Sequence, residues 1–84
     1  MGELRVRKIQ EFIKQEVSNI LLRELKDPRL GFVTVTDARI TGDLREATVY
    51  VSLFGKPEEK QDTMKALKHA TGYIRTEVGR RLGI

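Results

Sequence analysis

The chain contains no cysteine and no tryptophan, and only one histidine and two prolines among its 84 residues. Without cysteine there is no disulfide framework, no thiolate zinc site and no thiol nucleophile. A single histidine excludes a His pair on a metal and, with cysteine absent, any His–Cys dyad. No apolar run is long enough to cross a bilayer, and the N-terminus lacks the apolar stretch of a signal peptide. The expectation is a soluble, cytoplasmic protein that does not engage a membrane. The seven glycines fit neither the dinucleotide fingerprint nor the phosphate loop of nucleotide hydrolases. The carboxylates are scattered among lysines and arginines, as on solvated helix faces, whereas paired acid–base catalysis needs two of them converging in a cleft. These absences predict a protein that is not an enzyme and carries no cofactor and no metal.

What is present is charge, unevenly placed. Eleven basic and eleven acidic residues balance over positions 1–64, while positions 65–84 hold Lys65, Lys68, Arg75, Arg80 and Arg81 against Glu77 alone. The whole net charge of +4 therefore sits in the last quarter of the chain. A smaller basic group, Arg5, Arg7 and Lys8, opens it. Clustering of this kind suits a polyanionic partner. Arg80 and Arg81 also suit the negative end of a helix dipole, but that explanation fits Lys65 and Lys68 poorly if the helix breaks after them. A chain of 84 residues makes one domain, residues 1–84, with a modest core. Such a domain works by presenting a surface.

Apolar residues at Val6, Ile9, Phe12, Ile13, Val17, Ile20, Leu21 and Leu25 recur at three- and four-residue steps, predicting an amphipathic helix of about five turns. The stretch KDPRLG ends it, because Pro28 disfavours helix at Asp27. FVTVTDARI and EATVYVSLF are rich in β-branched and aromatic residues and predict two strands. In the second, Ala47, Val49, Val51 and Leu53 share one face, and Thr48, Tyr50 and Ser52 the other. In the first, Val33 and Val35 lead onto Asp37, which predicts a bulge or twist near that point. TGDLR supplies the hairpin turn, with Gly42 and Asp43 as the residues tolerating unusual backbone angles. Pro57 at the first helical position and Glu58 and Glu59 in the first turn open a second helix.

On that helix Thr63, Met64, Ala66, Leu67 and Ala70 fall on one side, and Lys65, Lys68 and His69 on the other. Beyond Gly72 a stripe of Ile74, Val78 and Leu82 reads as rotated relative to the first, predicting a break or kink at Ala70-Thr71-Gly72. Gly79 reads as a packing contact, and Tyr73 as a core residue or a base-stacking ring. KH-type nucleic-acid domains place a small glycine-containing turn between two helices. There a sugar–phosphate backbone approaches closely and meets the N–H groups of the following helix. A helix-turn-helix reading is disfavoured, since Tyr73 and Ile74 stand where polar base-readers are needed. The candidate RNA-binding set is Arg5, Arg7, Lys8, Lys65, Lys68, His69, Ala70, Thr71, Gly72, Arg75, Arg80 and Arg81.

Four stretches, RVRKIQEFIKQEVSNIL, DPRLGFVTVTDARIT-GDL, ATVYVSLFG and ALKHATGYIRTEVGRRL, taken in order, resemble the bacterial ribosome-binding factor A family. The resemblance implies an α+β, KH-like fold of type II order (α-β-β-α-kink-α), with helices packed on one face of a β-hairpin. In that family an Ala-x-Gly kink, here Ala70-Thr71-Gly72, takes the place of the usual glycine loop. The resemblance also implies binding to rRNA of the free small (30S) ribosomal subunit, help in its maturation and rRNA 5′-end processing, a part in cold-shock adaptation, and release linked to an assembly GTPase. Ribosomal proteins are expected as further partners, and a monomer is expected. The family order ends in a third strand that this chain lacks, so a C-terminally truncated domain with an exposed strand edge is expected. Two other functions compete: a protein-interaction module docking an acidic partner, and an RNA-processing enzyme, for which no catalytic set is visible.

Overall fold

A computed structural model describes residues 2–83. Helix α1 spans Glu3–Asn19 and runs into a single π turn, Ile20–Glu24. Strands β1 (Val33–Ile40) and β2 (Ala47–Leu53) form an antiparallel hairpin, and helix α2 spans Pro57–Leu82. The helices cover one face of the hairpin, so the fold is the expected α+β arrangement.

The apolar spacing of α1 places Ile13, Val17, Ile20 and Leu21 in the interior, Ile20 with no exposed surface. The π turn adds a residue to the last turn, closed by the Leu25 N–H donating to the Ile20 carbonyl at 3.1 Å. It keeps both Ile20 and Leu21 buried before the chain extends at Leu25.

In β1 the register shifts between Val35 and Asp37. Val35 opposes Val51 and Asp37 opposes Tyr50, leaving Thr36 as the extra residue of a bulge. Val35 then faces the core on one side of the bulge and Ala38 on the other, as the broken alternation of the sequence predicts. The hairpin loop departs from expectation in one respect. Positive φ falls at Leu44 (62°), not at Gly42 or Asp43. The loop is set by side chains: Thr41 Oγ1 donates to Asp43 Oδ1 at 2.6 Å, and Asp43 Oδ1 accepts the Arg45 N–H.

Helix α2 corrects the expected break. It runs uninterrupted through Ala70-Thr71-Gly72, and its 26 residues correspond to about 39 Å of straight helix, consistent with the 42 Å long axis of the molecule. The supposed rotation between the apolar stripes is not there. Ile74 lies seven residues after Leu67, only about 20° short of two full turns. Thr63, Ala66, Leu67, Ala70, Ile74 and Val78 therefore form one stripe on one helix. The glycine that terminates α2 is Gly83, in the left-handed region (φ 85°), with its N–H donating to the carbonyls of Gly79 and Arg80.

The small residues of this stripe admit the segment that follows the π turn. The fully buried Thr63 accepts the Gly31 N–H at 3.1 Å through Oγ1 and donates the same hydroxyl to the Glu59 carbonyl at 2.9 Å. Thr63→Val keeps the shape and removes both bonds. It is expected to lower stability by about 1 kcal/mol, read as a fall in Tm with unchanged far-UV dichroism.

Candidate nucleic-acid interface

At about 100° per residue, Lys65, Lys68, His69, Gly72 and Arg75 fall within an arc of about 120° on the side of α2 opposite its buried stripe. All five are exposed. Among the described residues, none of the three cations Lys65, Lys68 and Arg75 is held in an ion pair. Gly72 sits in the middle of this stripe, and a Cβ added there meets nothing within 4 Å. Neither backbone conformation nor packing inside the molecule asks for glycine at this position. A glycine in a helix interior costs about 1 kcal/mol relative to alanine. Nothing within 4 Å of that position offsets the cost inside the fold.

One flank of the stripe borders a groove of about 510 Å³ between α2, β2 and α1. Its floor is apolar, with Ile13, Val49, Leu67 and Ile74 among its residues, and Lys68, Arg75 and Arg45 line it together with a single carboxylate, Glu46. Arg45 was not anticipated. It lies in the hairpin loop, and no sequence signal relates it to residues 23 and 30 positions later.

The remaining candidates divide. Ala70 is buried in the stripe facing the core, so it forms no contact surface. Thr71 is exposed, its hydroxyl donating back to the Leu67 carbonyl at 2.9 Å. Arg81 is drawn into an ion-pair cluster within the fold. Its guanidinium bonds Glu16 at 3.1 Å, Glu24 at 2.7 Å and Glu77 at 3.1 Å. Arg80 pairs with Glu77 at 2.7 Å but stays largely exposed. Arg5, Arg7 and Lys8 are exposed on α1, with Arg7 in a loose pair with Glu3. No hydrogen bond or ion pair among the described residues joins them to the α2 stripe.

Tyr73 is not a core residue. It is 47% exposed, and its hydroxyl donates to Glu24 Oε1 at 2.8 Å. That bond raises the phenol above its ordinary value. Hydrogen bonds from Arg81 and then Tyr73 hold Glu24 below the ordinary carboxylate range, and Arg80 does the same to Glu77.

The sequence pattern of a family described as "Ribosome-binding factor A" matches residues 5–84. The chain belongs to this family. It is 48% identical over all 84 residues to a ribosome-binding factor A of Halothermothrix orenii, covering 69% of that protein. Its fold matches the crystal structure of ribosome-binding factor A from Thermus thermophilus with a TM-score of 0.73 at 26% identity, over 90% of this chain and 80% of the other. Ribosome-binding factor A membership assigns the chain to ribosome binding and ribosome biogenesis, and the architecture is the KH-like fold of the family. Among the described residues no group of His, Asp and Glu gathers in a way that holds a metal ion. Among those residues, too, no helix is long and apolar enough to cross a membrane.

Proposed function

We propose that this chain is a single KH-like RNA-binding domain that grips rRNA of the free small ribosomal subunit and assists its maturation and 5′-end processing, without catalysing a reaction. The contact surface is the outer stripe of α2, Lys65, Lys68, His69, Gly72 and Arg75, joined across the groove by Arg45. The observation that carries this reading is the exposed mid-helix Gly72 among Lys65, Lys68 and Arg75, which make no ion pair among the described residues. A bare backbone with flanking ammonium and guanidinium groups suits a phosphodiester strand pressed close to it. Arg5, Arg7 and Lys8 offer a second, separate phosphate contact from α1. Ribosomal proteins are proposed as further partners and an assembly GTPase as the partner in release, with cytoplasmic cold adaptation as the setting.

The test is co-sedimentation with free small subunits, mature small subunits and joined ribosomes at low and moderate salt. Binding is expected to be selective for free small subunits and to fall steeply with salt. The Lys68→Ala/Arg75→Ala variant removes two cations, so the log–log salt slope should become shallower by about 1.4 to 1.8 while the melting curve stays put. Equal binding to every particle, or a slope unchanged in the variant, rules this surface out. Binding that survives RNase with a wild-type slope supports instead a module that docks an acidic protein.

A further inference from the structure

Three of the five aromatic residues of the chain stand on the side of the hairpin that the helices do not cover. Val33 and Leu53 are paired and turned toward the helices, so the next residues outward, Phe32 and Phe54, face the other way. The Phe54 N–H donates to the Phe32 carbonyl at 3.1 Å and fixes the two opposite each other. Tyr50, four residues back along β2 and on the same face, is about 13 Å away. Phe32 is 83% exposed, Phe54 53% and Tyr50 50%. Exposed rings gathered on one face are costly to leave in water without a partner.

The rest of this face says what kind of partner. Its other outward residues are Thr34, Asp37, Arg39, Thr48 and Ser52, with Thr36 in the bulge. There is no aliphatic side chain among them, so an apolar helix finds rings and hydroxyls but no pocket for its anchors. The one carboxylate, Asp37, is engaged at both oxygens, by the Ala38 N–H at 2.8 Å and by Arg39 at 3.0 Å. It is thereby neutralised toward an approaching anion. Arg39, which carries that pair, stands at one end of the face, and Lys56, in no ion pair among the described residues, follows Phe54 at the other. Flat rings and hydroxyl donors, with an ion-paired face and a lysine beside the rings in place of free carboxylates, are the recognition chemistry of unpaired bases.

We infer that the outer face of the hairpin is a stacking surface for the bases of single-stranded RNA, with Phe32 and Phe54 taking one base and Tyr50 another of the same strand. The face lies across the sheet from α2. It draws on the ribosomal partner of the family but not on the α2 stripe, and it supplies base contacts where that stripe supplies phosphate contacts.

The experiment measures binding by anisotropy to three short labelled probes: a single-stranded RNA of mixed sequence, a duplex RNA of equal length, and an abasic ribose–phosphate oligomer. The variant Phe32→Ser/Tyr50→Ser/Phe54→Ser is expected to bind the single strand at least about tenfold more weakly, from the loss of ring–base stacking. Its salt slope and its binding to the duplex and abasic probes should stay unchanged, since stacking releases no counterions. Phe32→Ser alone, at the most exposed ring, serves if the triple variant melts early, and is expected to lose affinity in the same probe-selective way. Wild-type affinity for the single strand in a folded variant overturns the inference, as does an equal loss on all three probes. Loss of small-subunit binding with intact single-strand binding also overturns it and assigns the face to a protein. The Lys68→Ala/Arg75→Ala variant, run alongside, changes the salt slope only if the α2 stripe is right, so the two readings fail separately.

Discussion

Gly72→Ala is expected to make the protein more stable and a poorer RNA binder at once. Alanine gains about 1 kcal/mol over glycine in a helix interior, which for a domain of this size raises Tm by roughly 4–8 °C. The added methyl meets no atom of the protein, so nothing inside the fold offsets that gain. On the RNA side the methyl stands where a phosphodiester backbone is proposed to lie, and about a tenfold loss of affinity is expected, equivalent to about 1.4 kcal/mol. Gly72→Val carries the same steric block with a smaller stability gain, because a β-branched side chain is stiffer in a helix. Had Gly72 marked a true helix break, valine would damage the fold instead. Thermal melts and subunit co-sedimentation on both variants give the answer: affinity unchanged by alanine removes Gly72 from the interface, and a lowered Tm contradicts the unbroken helix.

Arg81→Met is expected to give the largest fall in stability of any single charge removal in the chain. The guanidinium ties Glu16 and Glu24 of the first helical segment to Glu77 of α2. Methionine fills similar space but leaves three carboxylates close together without the cation that joined them, and Tyr73 is left bonded to an unpaired Glu24. Acid stability reports the same clasp. In the folded protein Glu24 is held below its ordinary value of 4.5, first by the Arg81 hydrogen bond and then by Tyr73. A carboxylate depressed on folding contributes stability that is fully present above the unfolded value and is lost as pH falls through the folded one. The wild-type Tm should therefore drop as pH falls below about 4.5, and that drop should be shallower in Arg81→Met. Asp27, held at about 2 by Arg29 against an ordinary 3.8, continues the decline at lower pH in both proteins. Equal pH profiles, or a Tm within a degree or so of wild type at neutral pH, sink the clasp.

Much of this architecture was legible in the sequence. The α1 spacing, the two strands, the bulge signalled where Val35 leads onto Asp37, and the Pro57 start of α2 all follow from local rules. Side-chain period and backbone stereochemistry act over a few residues, and those residues are adjacent in the chain. The exposure of Lys65, Lys68 and His69 followed in the same way from position on a helical wheel. The excess of positive charge in the last quarter pointed to the helix that carries the unpaired Lys65, Lys68 and Arg75.

Where sequence reading failed, the missing quantity was a distant partner. Gly72 reads as a helix breaker on propensity, yet Thr63, Ala66, Ala70, Ile74 and Val78 share one inward face, and their packing holds the helix through it. Arg81 reads as one more cation for RNA until Glu16 and Glu24, 65 and 57 residues away, close around it. Arg45 reads as a loop residue until the hairpin folds it onto the same groove as Lys68 and Arg75. The sequence alone determined the elements, their apolar faces and the region of positive charge, because those depend on neighbours three or four positions apart. Only the tertiary structure decided which cations remain available to an anion, because a carboxylate neutralises a guanidinium by proximity in space, and proximity between remote residues exists only once the helices have packed.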